Sequence, residues 1–119
     1  MLLDDLFAAA AAFDTAALDA IIHPDVRFTE MPNRINPEGG ERGREEALAG
    51  FAKGRELLRE QSYEVLERVQ EGDITAARVT WRGTLAANGQ QLTAHIATFT
   101  QTRDGRISRH ATYDCYEAF

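Results

Sequence analysis

The order of elements along the chain predicts an α+β fold. Two observations carry this. Apolar residues recur at helical spacing only before residue 61, and everything after Ser62 alternates at strand period between glycine-bearing turns. Helices, one strand, a helix and then a four-strand antiparallel meander are therefore expected, and not an alternating parallel α/β arrangement.

Leu3, Leu6, Phe7 and Ala10 mark the first helix, within an alanine run that favours helix. Asp14 or Thr15 can cap a second, short helix whose Leu18, Ile21 and Ile22 face inward, and Pro24 ends it. "VRFTE" (26–30) is a strand, and "MPNRINPEGGERG" (31–43) is a loop full of breakers. Residues 44–60 read as a helix, with Glu45 and Glu46 complementing its N-terminal dipole. The strands 62–70, 74–85 and 91–101 follow, separated by Glu71-Gly72-Asp73 and by Asn88-Gly89. Asp104-Gly105 turns the chain into the last strand.

The 119 residues are read as one domain, 1–119. A hydrophobic share of 44% with 27% charged residues is ordinary for a globular chain. The net charge of −6, with no cluster of Lys or Arg, argues against nucleic acid or an anionic membrane surface as partner. The apolar start, residues 1–22, carries Asp4 and Asp5 where a signal peptide is basic, and Asp14 and Asp19 interrupt it, so it reads as helix. Cys115 is the only cysteine, which excludes an internal disulfide and suits a cytoplasmic setting. The glycines of "EGGERG" lack the Lys-Ser/Thr of a phosphate loop, and no cofactor motif is present.

One residue breaks the strand pattern. Asp114 lies between two tyrosines in "RHATYDCYEAF" (109–119), and a carboxylate is a poor strand former that is costly to bury unpaired. Alternation places it on one face with Ser108, His110 and Thr112. A two-residue turn at Asp104-Gly105 then sets Phe99 opposite His110, Ala97 opposite Thr112 and His95 opposite Asp114. Opposed Cβ atoms lie about 4.5–5.5 Å apart, close enough for imidazole and carboxyl to bond. Register is the condition: one extra residue sends the two groups to opposite faces.

The helix pair, "HPDVRF", "GREEALAGF" and "DGRISRHATYDCY" together resemble the nuclear transport factor 2-like superfamily, in its SnoaL-like branch. The resemblance implies helices packed in a strongly curved, mostly antiparallel sheet, a cone with a pocket inside, commonly a homodimer. It also implies that ketosteroid isomerase chemistry is absent. The base, tyrosine and acid of those enzymes fall at Met31, near Ala9 and at about Ala97. The Arg-x-Asp of the epoxide hydrolases falls at Arg78-Val79-Thr80, without its carboxylate. Asp114 matches their final-strand aspartate, and some SnoaL-type cyclases use an aspartate there for proton transfer. The isomerase likeness puts Ala97, His110, Thr112 and Asp114 on the pocket side and turns Val79, Trp81, Gly83 and Leu85 inward. Trp81 faces inward only if the Asn88-Gly89 connection is a longer loop through Ala86–Gln90.

Asp114 is thus read either as a proton-transfer group or as a structural carboxylate bonded to backbone or Arg109. His95 is its dyad partner or a half-buried strand histidine. Trp81, Phe99, His110 and Thr112 are the expected pocket lining, with Glu30 at the cone mouth. Tyr63 and Tyr116 offer hydroxyls or simple packing. A metal is rejected, because His110 and Asp114 stand roughly 13 Å apart on one strand. Two functions remain: cofactor-independent acid/base catalysis on an apolar small molecule (cyclase, isomerase or hydrolase), or a non-catalytic ligand-binding or protein-interaction cone. The opposite face, with Ala94, Ile96, Thr98, Ala111, Tyr113 and Cys115, leaves an apolar stripe that predicts a homodimer through the sheet.

Overall fold

The computed structural model describes residues 1–119. Helix α1 spans Leu2–Ala11 and α2 spans Thr15–Ile21, the second capped by the Asp14 carboxylate, which accepts from the Ala17 N–H at 3.0 Å. Strand β1 (Ile22–Glu30) and the short β2 (Gly40–Arg42) precede α3 (Arg44–Leu57). The meander follows as β3 (Leu58–Glu71), β4 (Ile74–Leu85), β5 (Gln91–Arg103) and β6 (Arg106–Tyr116). The sheet order is β2-β1-β6-β5-β4-β3, antiparallel throughout except for β1 beside β6. An α+β architecture with helices on one face of an open, mixed sheet is the result.

Three boundaries differ from expectation. β1 starts at Ile22 and so contains Pro24, which is tolerated because β2 covers only Phe28–Glu30 and leaves the Pro24 end of β1 uncovered on that side. The loop 31–43 ends in β2, which closes back on β1. Helix α3 stops at Leu57 because Leu58 turns extended and pairs with Leu85.

The core lies between α1, α2 and the concave side of the sheet, around Leu3, Leu6, Leu18, Ile22, Val26, Val79 and Ile107. Between β4 and β5 the connection is a five-residue loop, Ala86–Gln90, so Trp81 faces Ala94 and Val79 faces Ile96. That longer loop turns Trp81 inward.

The last hairpin decides the site. Asp104 and Gly105 both take positive φ, 54° and 73°, which is the two-residue turn their identities favour. Arg103 pairs Arg106 and Thr102 pairs Ile107, as that turn requires. Ser108 is then an extra residue. Beyond it Gln101 pairs Arg109, and the register stays one residue displaced to the end of the strand. Ile107 and Ser108 are consecutive buried residues, the mark of a β-bulge.

Candidate functional site

The bulge reorganises the expected pairs. Asp114 faces Ile96, Thr112 faces Thr98 and His110 faces Thr100, all on the concave side. His95 faces Cys115 on the outer side, exposed, with its Nε2 2.7 Å from Glu117 Oε2. The His95–Asp114 dyad does not exist. Phe99 is likewise outside, 48% exposed and edge-on to Tyr113 at 5.8 Å, so it does not line the concave cavity. Ala97, expected on the pocket side, pairs Tyr113 on that outer face, and Ala94, Ile96 and Thr98 leave it for the interior.

The concave side holds a cavity of about 390 Å³. Trp81, His110, Thr112, Asp114 and Glu30 stand on its wall, joined by Tyr63, Tyr116 and Gln61. The cross-strand lattice explains the placement. Tyr63, Trp81, Ala94 and Tyr116 form one row across the sheet, and Val65, Val79, Ile96 and Asp114 form the next. Asp114 therefore ends a row of three aliphatic side chains.

That setting controls its acidity. Burial pushes the Asp114 carboxyl up from 3.8 to about 6, the negative charge of Glu30 adds to the rise, and the Thr112 side chain partly opposes it. Its Oδ1 is buried and has no hydrogen-bond partner, and Arg109, the alternative structural partner, is on the opposite face. Glu30 anchors the loop after β1, accepting from Asn33 Nδ2 at 2.7 Å and Asn36 Nδ2 at 3.4 Å. It thus adds charge to the cavity while its own oxygens are occupied.

Two hydroxyls share the cavity wall with the carboxyl. Burial, then the negative charge of Asp114, raises Tyr63 far above the usual phenol range and lifts Tyr116 to about 12, so both stay protonated. Tyr63 stacks on Phe7, with centroids 4.7 Å apart. Gln61 ties this wall together. Its Nε2 donates to the Ala10 carbonyl at 2.7 Å, and its Oε1 accepts from Trp81 Nε1 at 2.9 Å and Tyr63 Oη at 3.4 Å. Gly83 clears space for the indole: a Cβ there would run into the Trp81 ring.

His110 is a wall and not a proton carrier at neutral pH. Burial drives its pKa down to about 4, Nδ1 lies 2.8 Å from Thr100 Oγ1, and Phe7 and Phe28 meet the ring edge-on. Gln61 was not among the expected site residues. An amide on the inward side of a half-buried strand is its only sequence signal. No three His, Cys, Asp or Glu side chains converge as a metal site would need. What the arrangement can do is bind an apolar guest and exchange one proton with it at Asp114, beside two phenolic donors.

A family model described as a SnoaL-like domain matches residues 3–110. Among solved structures, the chain is similar to IdmH of Streptomyces antibioticus, a candidate polyketide cyclase, at 25% identity and a TM-score of 0.79 over 95% of this chain and 88% of that one. TsrD from Streptomyces laurentii matches at 25% identity and 0.76, over 95% and 84%. A hypothetical protein of ketosteroid isomerase-like fold from Catenulispora acidiphila, at 18% identity, shares the fold with a TM-score of 0.81 over 94% and 83%. A search of curated proteins found no match. No helix is long and apolar enough to cross a membrane.

Proposed function

The chain belongs to the SnoaL-like family, and on that premise we propose that it binds an apolar small molecule and performs cofactor-independent acid/base chemistry, with Asp114 moving the proton. One observation carries the reading: a carboxyl in a mainly apolar cavity, raised toward neutrality, with an oxygen that no protein group engages. A base is most useful when its pKa lies near the working pH. At pH 7 Asp114 is mostly ionised and takes a proton from a carbon next to a carbonyl. Tyr116 donates to the oxygen on which charge develops, joined by Tyr63 when its hydroxyl turns from Gln61. The enolate carbon then bonds to a second carbonyl carbon within the same guest, and the protonated carboxyl returns its proton to the new alkoxide. Such a ring closure fits the likeness to IdmH. Trp81, His110 and Thr112 shape the cavity, and Glu30 strengthens the carboxyl's hold on its proton.

The test uses 2-tetralone, an apolar ketone with exchangeable α-protons, in deuterated water followed by NMR. The chain should accelerate exchange, and Asp114→Asn should lose that acceleration by about 100-fold or more while still binding the ketone. A second reading, a non-catalytic binding cone, is favoured by the lack of any second titratable group bonded to Asp114. It predicts exchange no faster than buffer, with Asp114→Asn losing affinity instead.

The outer face supports a homodimer through the sheet. Phe99 and Tyr113 are both nearly half exposed and pack on each other, flanked by Ala97 and Ala111. The lone free thiol, Cys115, suits a cytoplasmic setting.

A further inference from the structure

Arg42 is the only lysine or arginine on the cavity wall, and His110 is neutral there. It stands on β2 directly across from Phe28, and so shares the concave face with Phe28 and His110. The carboxylates around it are engaged elsewhere. Glu41 is held by Arg27 at 2.6 Å, Glu46 accepts from the Gly43 N–H at 3.3 Å, and Glu30 is held by Asn33 and Asn36. Arg42 is left exposed at the mouth of an apolar cavity, with no carboxylate in a salt bridge to it.

Helix α3 is notched where the guanidinium lies. Gly50 sits in the helix interior, where glycine is the least favourable residue short of proline. A Cβ at Gly50 would meet Arg42 Nη1 at 2.7 Å and Cζ at 3.7 Å, and no other group. The missing side chain makes room for the guanidinium and for nothing else.

We propose that Arg42, seated in the Gly50 notch, recognises an anionic group at one end of the guest, so that the molecules this cavity takes are apolar carboxylates or close equivalents. This rests on reading the cavity as a small-molecule site. Arg42 and Asp114 are separated by two strand spacings and four residues along β6. At about 4.8 Å per strand and 3.3 Å per residue their backbones lie roughly 16 Å apart. Their inward side chains shorten that to a span on the order of 10 Å, the length of a fused-ring guest. The geometry holds the guest's negative charge away from Asp114 and leaves its uncharged end at the proton-transfer group.

Two dyes with one skeleton test this: 8-anilinonaphthalene-1-sulfonate, which is anionic, and N-phenyl-1-naphthylamine, which is neutral. Trp81 is the only tryptophan and lines the cavity, so energy transfer from it reports occupancy. The anionic dye should bind the unmodified chain about fivefold or more tightly than the neutral one, as one charge-assisted contact allows. Arg42→Gln should abolish that preference and leave the neutral dye unchanged. Gly50→Ala should raise the melting temperature through helix propensity yet weaken only the anionic dye, a combination that a purely structural role for Arg42 does not produce. If Arg42→Gln keeps the preference while Trp81 still transfers energy, the proposal is wrong and the cavity reading stands. If neither dye draws energy from Trp81, the cavity reading itself fails and this proposal falls with it.

Discussion

Asp114→Asn should stabilise the protein, and only at neutral and alkaline pH. The folded carboxyl titrates near 6, against 3.8 for an ordinary aspartate. Below pH 4 the group is protonated in both folded and unfolded chains, so it contributes nothing. As pH rises from about 4 to 6 the unfolded chain ionises while the folded one resists, and the fold loses stability. Above pH 6 the whole penalty is present. At about 1.4 kcal/mol per pH unit the displacement is worth about 3 kcal/mol at most. The carboxyl also faces an open cavity, whose water screens it, so the expected gain for the asparagine variant is roughly 1–2 kcal/mol at pH 8. That corresponds to roughly 5–10 °C in melting temperature. Thermal unfolding of both proteins at pH 4 and pH 8 measures the difference of differences, in which His110 and every other titrating group cancel. A gain of the same size at both pH values would refute the reasoning. So would a carboxyl ¹³C signal for Asp114 that titrates near 4.

Other consequences are checked as directly. His110 stays neutral in the fold to about pH 4, so it withdraws stability as pH falls from about 6.5; His110→Phe should flatten the acid limb of a pH-stability curve by about 3 kcal/mol, at the cost of about 1 kcal/mol for an unpartnered Thr100 hydroxyl. Gln61→Leu strands the Trp81 indole N–H, while the Ala10 carbonyl keeps the Phe13 N–H, and should cost about 1–3 kcal/mol in urea unfolding with a changed Trp81 emission. Light scattering should find a dimer that Phe99→Glu converts to a monomer with its secondary structure intact by circular dichroism. His95→Ala, which breaks only an exposed contact with Glu117, should leave ketone exchange unchanged and stability within about 0.5 kcal/mol.

Most of the architecture was legible because it rests on local signals. Leu3, Leu6 and Phe7 at helical spacing, the Asp14 cap and the Asp104-Gly105 turn act within a few residues of themselves, and each forms as its chemistry dictates. The pairing of β1 beside β6 joins segments some eighty residues apart, and no local pattern encodes it. The displaced register had one faint signature. Without a bulge, Ile107 and Arg109 would share a face, an apolar and a charged side chain on one side of a half-buried strand. Ser108 resolves that conflict, and its hydroxyl donates to the Gln101 carbonyl at 3.1 Å across the irregularity.

By itself, then, the amino-acid sequence determined the element types, the hairpin turns, the inward set of α1 and the oddity of Asp114, because propensity, capping and turn geometry are properties of short stretches. Only the tertiary structure decided which groups meet Asp114. A strand has a period of two, so a single inserted residue exchanges its faces, and the energy that places the insertion comes from burying Ile107 and His110 against distant helices and strands. His95 and Phe99 went to the outside, and Asp114 came to the face of Tyr63 and Gln61, for that one reason; Tyr116 stands beside it by simple alternation along β6.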